Sequence, residues 1–140
     1  MSADNCIFCK IVAGEIPCFK VYEDEQTLAF MDINPATRGH ALVIPKEHSP
    51  NLFDSPDEQL ATVAAAARKV GKAIQAAVTP DGLNLVQANG PGAAQSVFHL
   101  HFHVLPRYTG DNLMLNWGMN PGDMDDIKSV SEQIARHVEA

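Results

Sequence analysis

The chain reads as an α+β fold, on three observations: short strand-like runs joined by turns, one long amphipathic helix between them, and a second amphipathic helix at the end. Lys20 to Glu23, Thr27 to Met31 and His40 to Ile44 are strand candidates bounded by turn formers, the third ended by Pro45. Asp24-Glu25-Gln26 separates the first two, and Asn34-Pro35-Ala36-Thr37-Arg38-Gly39 the next two. Neither connection holds a crossover helix, so antiparallel pairing follows.

The helix between the strand groups begins at Ser55-Pro56-Asp57-Glu58, which reads as a capping box with proline in the first helical position. Leu60, Val63, Ala67, Val70, Ile74 and Val78 then form one apolar stripe at helical spacing, with Arg68, Lys69, Lys72 and Gln75 on other faces. Thr79-Pro80-Asp81-Gly82 stops it. Two further strands, Leu83 to Ala88 and Phe98 to Leu105, flank the loop Asn89 to Ser96. A last helix, roughly Asp123 to Val138, carries Ile127, Val130, Ile134 and Val138 on one side.

At 140 residues and 46% hydrophobic content, a single domain spanning 1–140 with its own core is expected. No apolar run approaches the ~20 residues that span a bilayer, so a cytoplasmic chain without a membrane partner is the expectation. A formal charge of −7 argues against a surface that coats DNA or RNA, which needs clustered Lys and Arg. A small phosphorylated ligand needs only local donors. The three cysteines, Cys6, Cys9 and Cys18, crowd the N-terminal region and make a poor disulfide framework.

His99-Leu100-His101-Phe102-His103 is the densest chemical signal. In a strand, alternate residues share a face, so three imidazoles line one side while Leu100, Phe102 and Val104 face the core. Three readings stand: hydrogen-bonded structural histidines, metal ligands, or a nucleophile with flanking acid–base groups. One ion bound by all three is discouraged, because the outer Cα atoms lie roughly 13 Å apart along a strand. Nucleophilic attack on phosphorus needs a neutral ring held in one tautomer by an acceptor at its other nitrogen. The preceding loop offers Asn89, Gln95 and Ser96 as side-chain donors, and Gly90 and Gly92 let backbone N–H groups turn toward an anion.

Gln95-Ser96-Val97-Phe98-His99-Leu100-His101-Phe102-His103-Val104-Leu105 closely resembles the signature of the histidine triad (HIT) family. Cys6-Ile7-Phe8-Cys9-Lys10-Ile11, Gly14-Glu15-Ile16-Pro17, Val21-Tyr22-Glu23-Asp24 and Gly39 through Lys46 resemble its bacterial nucleotide-binding branch. The likeness covers nearly everything up to Arg107. It implies a five-stranded antiparallel sheet with a long central helix and a C-terminal helix, in a homodimer with one continuous sheet and a nucleotide site per protomer. The implied activity is hydrolysis or transfer at the α-phosphate of nucleoside phosphoramidates, acyl-nucleotides or dinucleoside polyphosphates, with a nucleotide-binding regulatory module of negligible turnover as the other class.

By the same resemblance His101 is the nucleophile, His103 and Ser96 touch the α-phosphate or leaving group, and Asn89 touches the phosphate. Asp32 would hold the ribose hydroxyls, Ile33 the base of a purine nucleotide such as AMP, and His40 would support the triad. A carboxylate suits two sugar hydroxyls, although Asp32 before Ile33-Asn34-Pro35 is also an ordinary turn initiator.

Cys6-x-x-Cys9 admits a redox dithiol, half a zinc site, or two buried cysteines. The redox reading lacks a strand–turn–helix context around the pair. The resemblance implies that His48 and His99 complete a set with Cys6 and Cys9, and Cys₂His₂ is a closed, structural zinc set. Cys18 fits no pattern. His137 reads as a cation at a helix C-terminus. The segment from Arg107 to Gly122, with Met114, Trp117 and Met119, reads either as a shaper of the leaving-group side that crosses to a partner protomer or as a surface loop.

Overall fold

In a computed structural model, which describes residues 3–138, the elements are α1 (Ile7–Val12), β1 (Lys20–Glu23), β2 (Thr27–Met31), β3 (Ala41–Pro45), α2 (Asp57–Val78), β4 (Gly82–Val86), β5 (Phe102–Arg107) and α3 (Met124–His137). The five strands form one antiparallel sheet in the order β1-β2-β3-β5-β4, so the α+β class and the hairpin pairing hold. β3 is central and fully buried, as a strand covered on both faces must be.

Alternation along β2 and β3 sorts their side chains between two layers. Ala29, Ala41 and Val43 face α2, where Val63, Ala67, Val70 and Ile74 of the helical stripe join Val104 of β5. Leu28, Phe30, Leu42 and Ile44 face the other way and pack with Cys6 and Phe8 from the α1 segment. The site forms on this second face. No described helix is long and apolar enough to cross a membrane.

Three expectations change. The capping box does not form: Pro56 occupies the N-cap position without a side-chain bond, and Ser55 Oγ donates to the Asn51 carbonyl at 2.6 Å instead. β4 is shifted toward the N-terminus and ends at Val86. β5 begins at Phe102, because residues 98–101 leave the sheet to meet the loop after β3, with Leu100 N–H donating to Ser49 O at 2.7 Å. Of the three histidines in the run, only His103 is therefore in a strand.

α3 has the expected stripe and an Asp123 N-cap that accepts from Asp125 and Asp126 N–H groups, but all its described residues are exposed. The chain reaches it through a turn clamped by Arg107, which pairs with Asp111 at 2.9 Å and also bonds Asn84 and the Leu113 carbonyl. Beyond it Met114, Trp117 and Met119 lie on the surface, Trp117 at 85% exposure.

Candidate active site and metal centre

His101 sits just before β5 with its Nδ1 2.7 Å from the His99 carbonyl oxygen. A carbonyl only accepts, so Nδ1 carries the hydrogen and Nε2 keeps a lone pair. That is the tautomer a nucleophile needs. Burial holds the His101 pKa below the ordinary imidazole value, which keeps the ring neutral.

A second chain of bonds assigns His103 in the same way. Ala36 N–H donates to His40 Nδ1 at 3.0 Å, so the His40 hydrogen lies on Nε2, which is 2.9 Å from His103 Nδ1. His103 Nδ1 is thereby the acceptor, and its hydrogen lies on Nε2. Asp32 Oδ2 stands 3.5 Å from His40 Nε2, and its other oxygen accepts from Asn34 N–H at 2.8 Å. Asp32 therefore initiates the turn and also faces the histidines. His101 and His103 rings stack edge to face with centroids 4.9 Å apart. One ring thus presents a lone pair and its neighbour an N–H.

Both rings border a cavity of about 440 Å³ on the α1 face of the sheet. Ile7, Phe8, Ile11, Ile16, Phe30 and Leu42 make its apolar wall, and Asp32, Ser96 and His103 its polar side. Ile33 stands at its rim, 76% exposed. An apolar slot ending in a few convergent polar groups is the usual form of a small-molecule site.

The loop residues divide differently from the sequence reading. Ser96 is exposed and lines the cavity. Gln95 is buried, and its amide donates to the carbonyls of Pro50 and Val97 while accepting from Gly90 N–H, so it holds the loop's shape. Asn89 accepts from Leu52 N–H at 2.8 Å and pairs with Gln87, and it does not line the cavity. Sequence reasoning missed Phe8, whose ring meets Phe30, His99 and His101 edge-on at 5.5, 5.8 and 5.2 Å. The apolar spacing of Ile7, Phe8 and Ile11 on a short helix was the available signal. It also missed Ala36, because a backbone amide leaves no mark on residue type.

The four predicted zinc ligands converge beside this cavity, with donor atoms all within 4.8 Å of one another. Cys6 Sγ lies 3.2 Å from His99 Nδ1, Cys9 Sγ 3.4 Å from His48 Nδ1, and the two Nδ1 atoms 3.2 Å apart. His99 Nε2 donates to the Pro45 carbonyl at 2.8 Å, which leaves its Nδ1 with a lone pair. A tetrahedral zinc with Zn–N near 2.0 Å has an N–N edge of about 3.3 Å, so the donor set and its spacing fit that ion. Burial pushes the Cys9 thiol up to about 11, so a thiolate there calls for an adjacent cation. Asp32, His40 and His103 form a second group of similar spacing, already joined by its own hydrogen bond.

Burial also holds His103 at about 4 and His40 below its ordinary value. Both groups bind protons more weakly in the folded chain than in the unfolded one. Their contribution to stability is therefore complete above the ordinary value of 6.5 and is lost as pH falls toward about 4. Urea midpoints measured between pH 7 and pH 4 are expected to fall on acidification; a flat profile would show that the rings protonate freely in place.

A HIT domain model matches residues 13–110. The chain is 46% identical to Protein hit of Bacillus subtilis over 139 residues, covering 97% of this chain and 96% of that protein. It is 42% identical to adenosine 5'-monophosphoramidase hnt1 of Schizosaccharomyces pombe over 135 residues, 96% of this chain and 98% of that one. Among solved structures, one from Streptococcus mutans matches with a TM-score of 0.94 at 43% identity, covering 99% of this chain and 88% of that chain. A Zn-bound histidine triad family protein from Mycobacterium smegmatis matches with a TM-score of 0.75 at 38% identity, covering 96% of each. The histidine run, the five-stranded sheet and these matches agree, and the chain belongs to the HIT domain family.

Proposed function

We propose that the chain hydrolyses nucleoside 5'-phosphoramidates or related nucleotide conjugates at the α-phosphorus, through a covalent nucleotidyl-His101 intermediate. The observation that carries this is the pair of opposite tautomers beside one cavity: a lone pair on His101 Nε2 and an N–H on His103 Nε2. The adenosine 5'-monophosphoramidase name of a relative 42% identical supports the substrate class.

His101 Nε2 attacks phosphorus, the P–N bond to the leaving group breaks, and the leaving amine takes a proton from solvent while neutral His103 donates a hydrogen bond from Nε2 to a phosphoryl oxygen. Water then attacks phosphorus, the P–N bond to His101 breaks, and the nucleotide leaves with His101 neutral again. The water's two protons go to the product phosphate and to solvent, which replaces the proton the amine took, and His103 keeps its own hydrogen. Burial suits both rings to this work, because neither is titrated at neutral pH. Ser96 donates to a phosphoryl oxygen, Asp32 accepts from the ribose hydroxyls, and Ile33 with the apolar wall covers a purine such as that of AMP. Asn89 and Gln95 act by shaping the loop before the histidines, Gln95 by accepting from Gly90 N–H and Asn89 by accepting from Leu52 N–H.

Cys6, Cys9, His48 and His99 would hold a structural zinc ion, which ties the N-terminal segment to the loop after β3. The protein works as a homodimer in this reading, with the segment after Arg107 shaping the leaving-group side.

The test is release of AMP from an adenosine phosphoramidate, with AMP binding measured in parallel. No turnover despite AMP binding would favour the binding-module class. His40→Ala removes the donor that sets His103's tautomer, so kcat should fall about 10- to 100-fold with KM changed far less. An equal rise in KM would assign His40 to substrate binding instead.

A further inference from the structure

We propose that His99 couples the Cys6–Cys9–His48–His99 centre to the nucleophile, so that zinc occupancy sets how much of His101 stands in its attacking tautomer. The inference rests on the zinc reading above and goes beyond a merely structural ion. His99 is wholly buried and belongs to both sites at once. Its ring offers Nδ1 to the donor cluster, 3.2 Å from both Cys6 Sγ and His48 Nδ1, while Nε2 holds the Pro45 carbonyl. Its carbonyl oxygen is the acceptor at 2.7 Å that keeps the hydrogen on His101 Nδ1. With Nε2 anchored on the Pro45 carbonyl, the His99 ring leaves the donor cluster by moving its backbone, and that movement shifts the carbonyl that His101 needs.

A second connection runs through α1. Cys6 caps that helix by accepting from Cys9 N–H, and Phe8 between the two cysteines sets its ring edge against both His99 and His101. Phe8 also lines the cavity. A cation binding all four donors therefore fastens the cavity wall, the loop after β3 and the nucleophile's acceptor to one point. Without it, the two facing imidazole nitrogens keep at most one hydrogen bond between them. His99 is then a positioning residue. It acts on chemistry through its backbone while its ring answers to the metal.

The experiment compares the purified protein before and after chelation, with zinc content by elemental analysis, AMP binding by calorimetry and the imidazole ¹⁵N spectrum of His101. The loaded protein should show His101 as a single Nδ1–H tautomer. Chelation should give a tautomer mixture and weaken AMP binding at least about 10-fold, with zinc restoring both. Cys9→Ser should resemble the chelated protein, and Cys9→His, which supplies a fourth ligand, should keep zinc and the single tautomer. Zinc that binds and leaves with neither readout changed would overturn the coupling while preserving the zinc site. A wild-type protein that binds no zinc would overturn both. If chelation unfolds the chain, Cys9→His decides: bound zinc with a single tautomer supports the coupling, and bound zinc with a mixture overturns it.

Discussion

His101→Asn is expected to lower release of AMP from an adenosine phosphoramidate by at least about 10³-fold, while AMP affinity changes by less than about 3-fold. The loss is large because His101 would be the side chain that forms a bond to phosphorus; His103 presents an N–H rather than a lone pair to the cavity. Binding should survive, because most of the cavity wall is apolar surface from α1, β2 and β3 that the substitution leaves in place. Rapid acid quench during turnover should trap labelled nucleotide on the wild-type chain and none on the variant. A variant that turns over at the wild-type rate would remove His101 from the mechanism and turn attention to His40 and His103.

Phe30→Ala should cost about 3–5 kcal/mol of stability and weaken AMP binding about 10-fold. Phe30 is 4% exposed in β2, where it pairs with Leu42 of β3 and meets Phe8 of α1 edge-on at 5.5 Å. Truncating it removes apolar burial and one ring pair, and the hole opens into the cavity wall. Stability and affinity should therefore fall together. Phe53→Ala is the matched comparison: at 80% exposure the same truncation should change stability by no more than about 0.5 kcal/mol. Urea unfolding and calorimetry check both variants. Normal AMP affinity in a destabilised Phe30→Ala chain would place the base away from this wall.

The hairpin spacing of the first three strands and the apolar period of α2 were legible because both are local: turn length dictates antiparallel return, and a 3.6-residue stripe marks the buried face. The histidine run stood out as a chemical cluster for the same reason, but its expected placement on one strand face did not hold, since His99 and His101 precede β5. The ligand set Cys6, Cys9, His48 and His99 came from family likeness, and the fold brings all four together across separations of up to 93 residues. The capping box misread shows the limit of local rules. Ser55 had a competing acceptor in the Asn51 carbonyl, and no propensity counts an acceptor supplied by the surrounding loop.

The early start assigned to the last strand has the same origin. Alternation from Phe98 to Leu105 looks like a strand, but the Ser49 and Pro45 carbonyls offered partners to Leu100 and His99 that the sheet did not. The outcome is that His99 turns to Cys6, Cys9 and His48 while His103 remains in the sheet. Gln95 and Asn89 likewise carried the right chemistry for an anion, and their amides went to backbone groups of Pro50 and Leu52 in the segment after β3 and to Gln87.

The sequence by itself determined the fold class and the core face of α2, because these depend on residue type repeated at short, regular spacing. Only the tertiary structure decided which nitrogen of His101, His40 and His103 carries the hydrogen. Those assignments come from the His99 carbonyl and the Ala36 amide, backbone groups common to nearly every residue. Position alone gives them meaning, and position is a property of the folded chain.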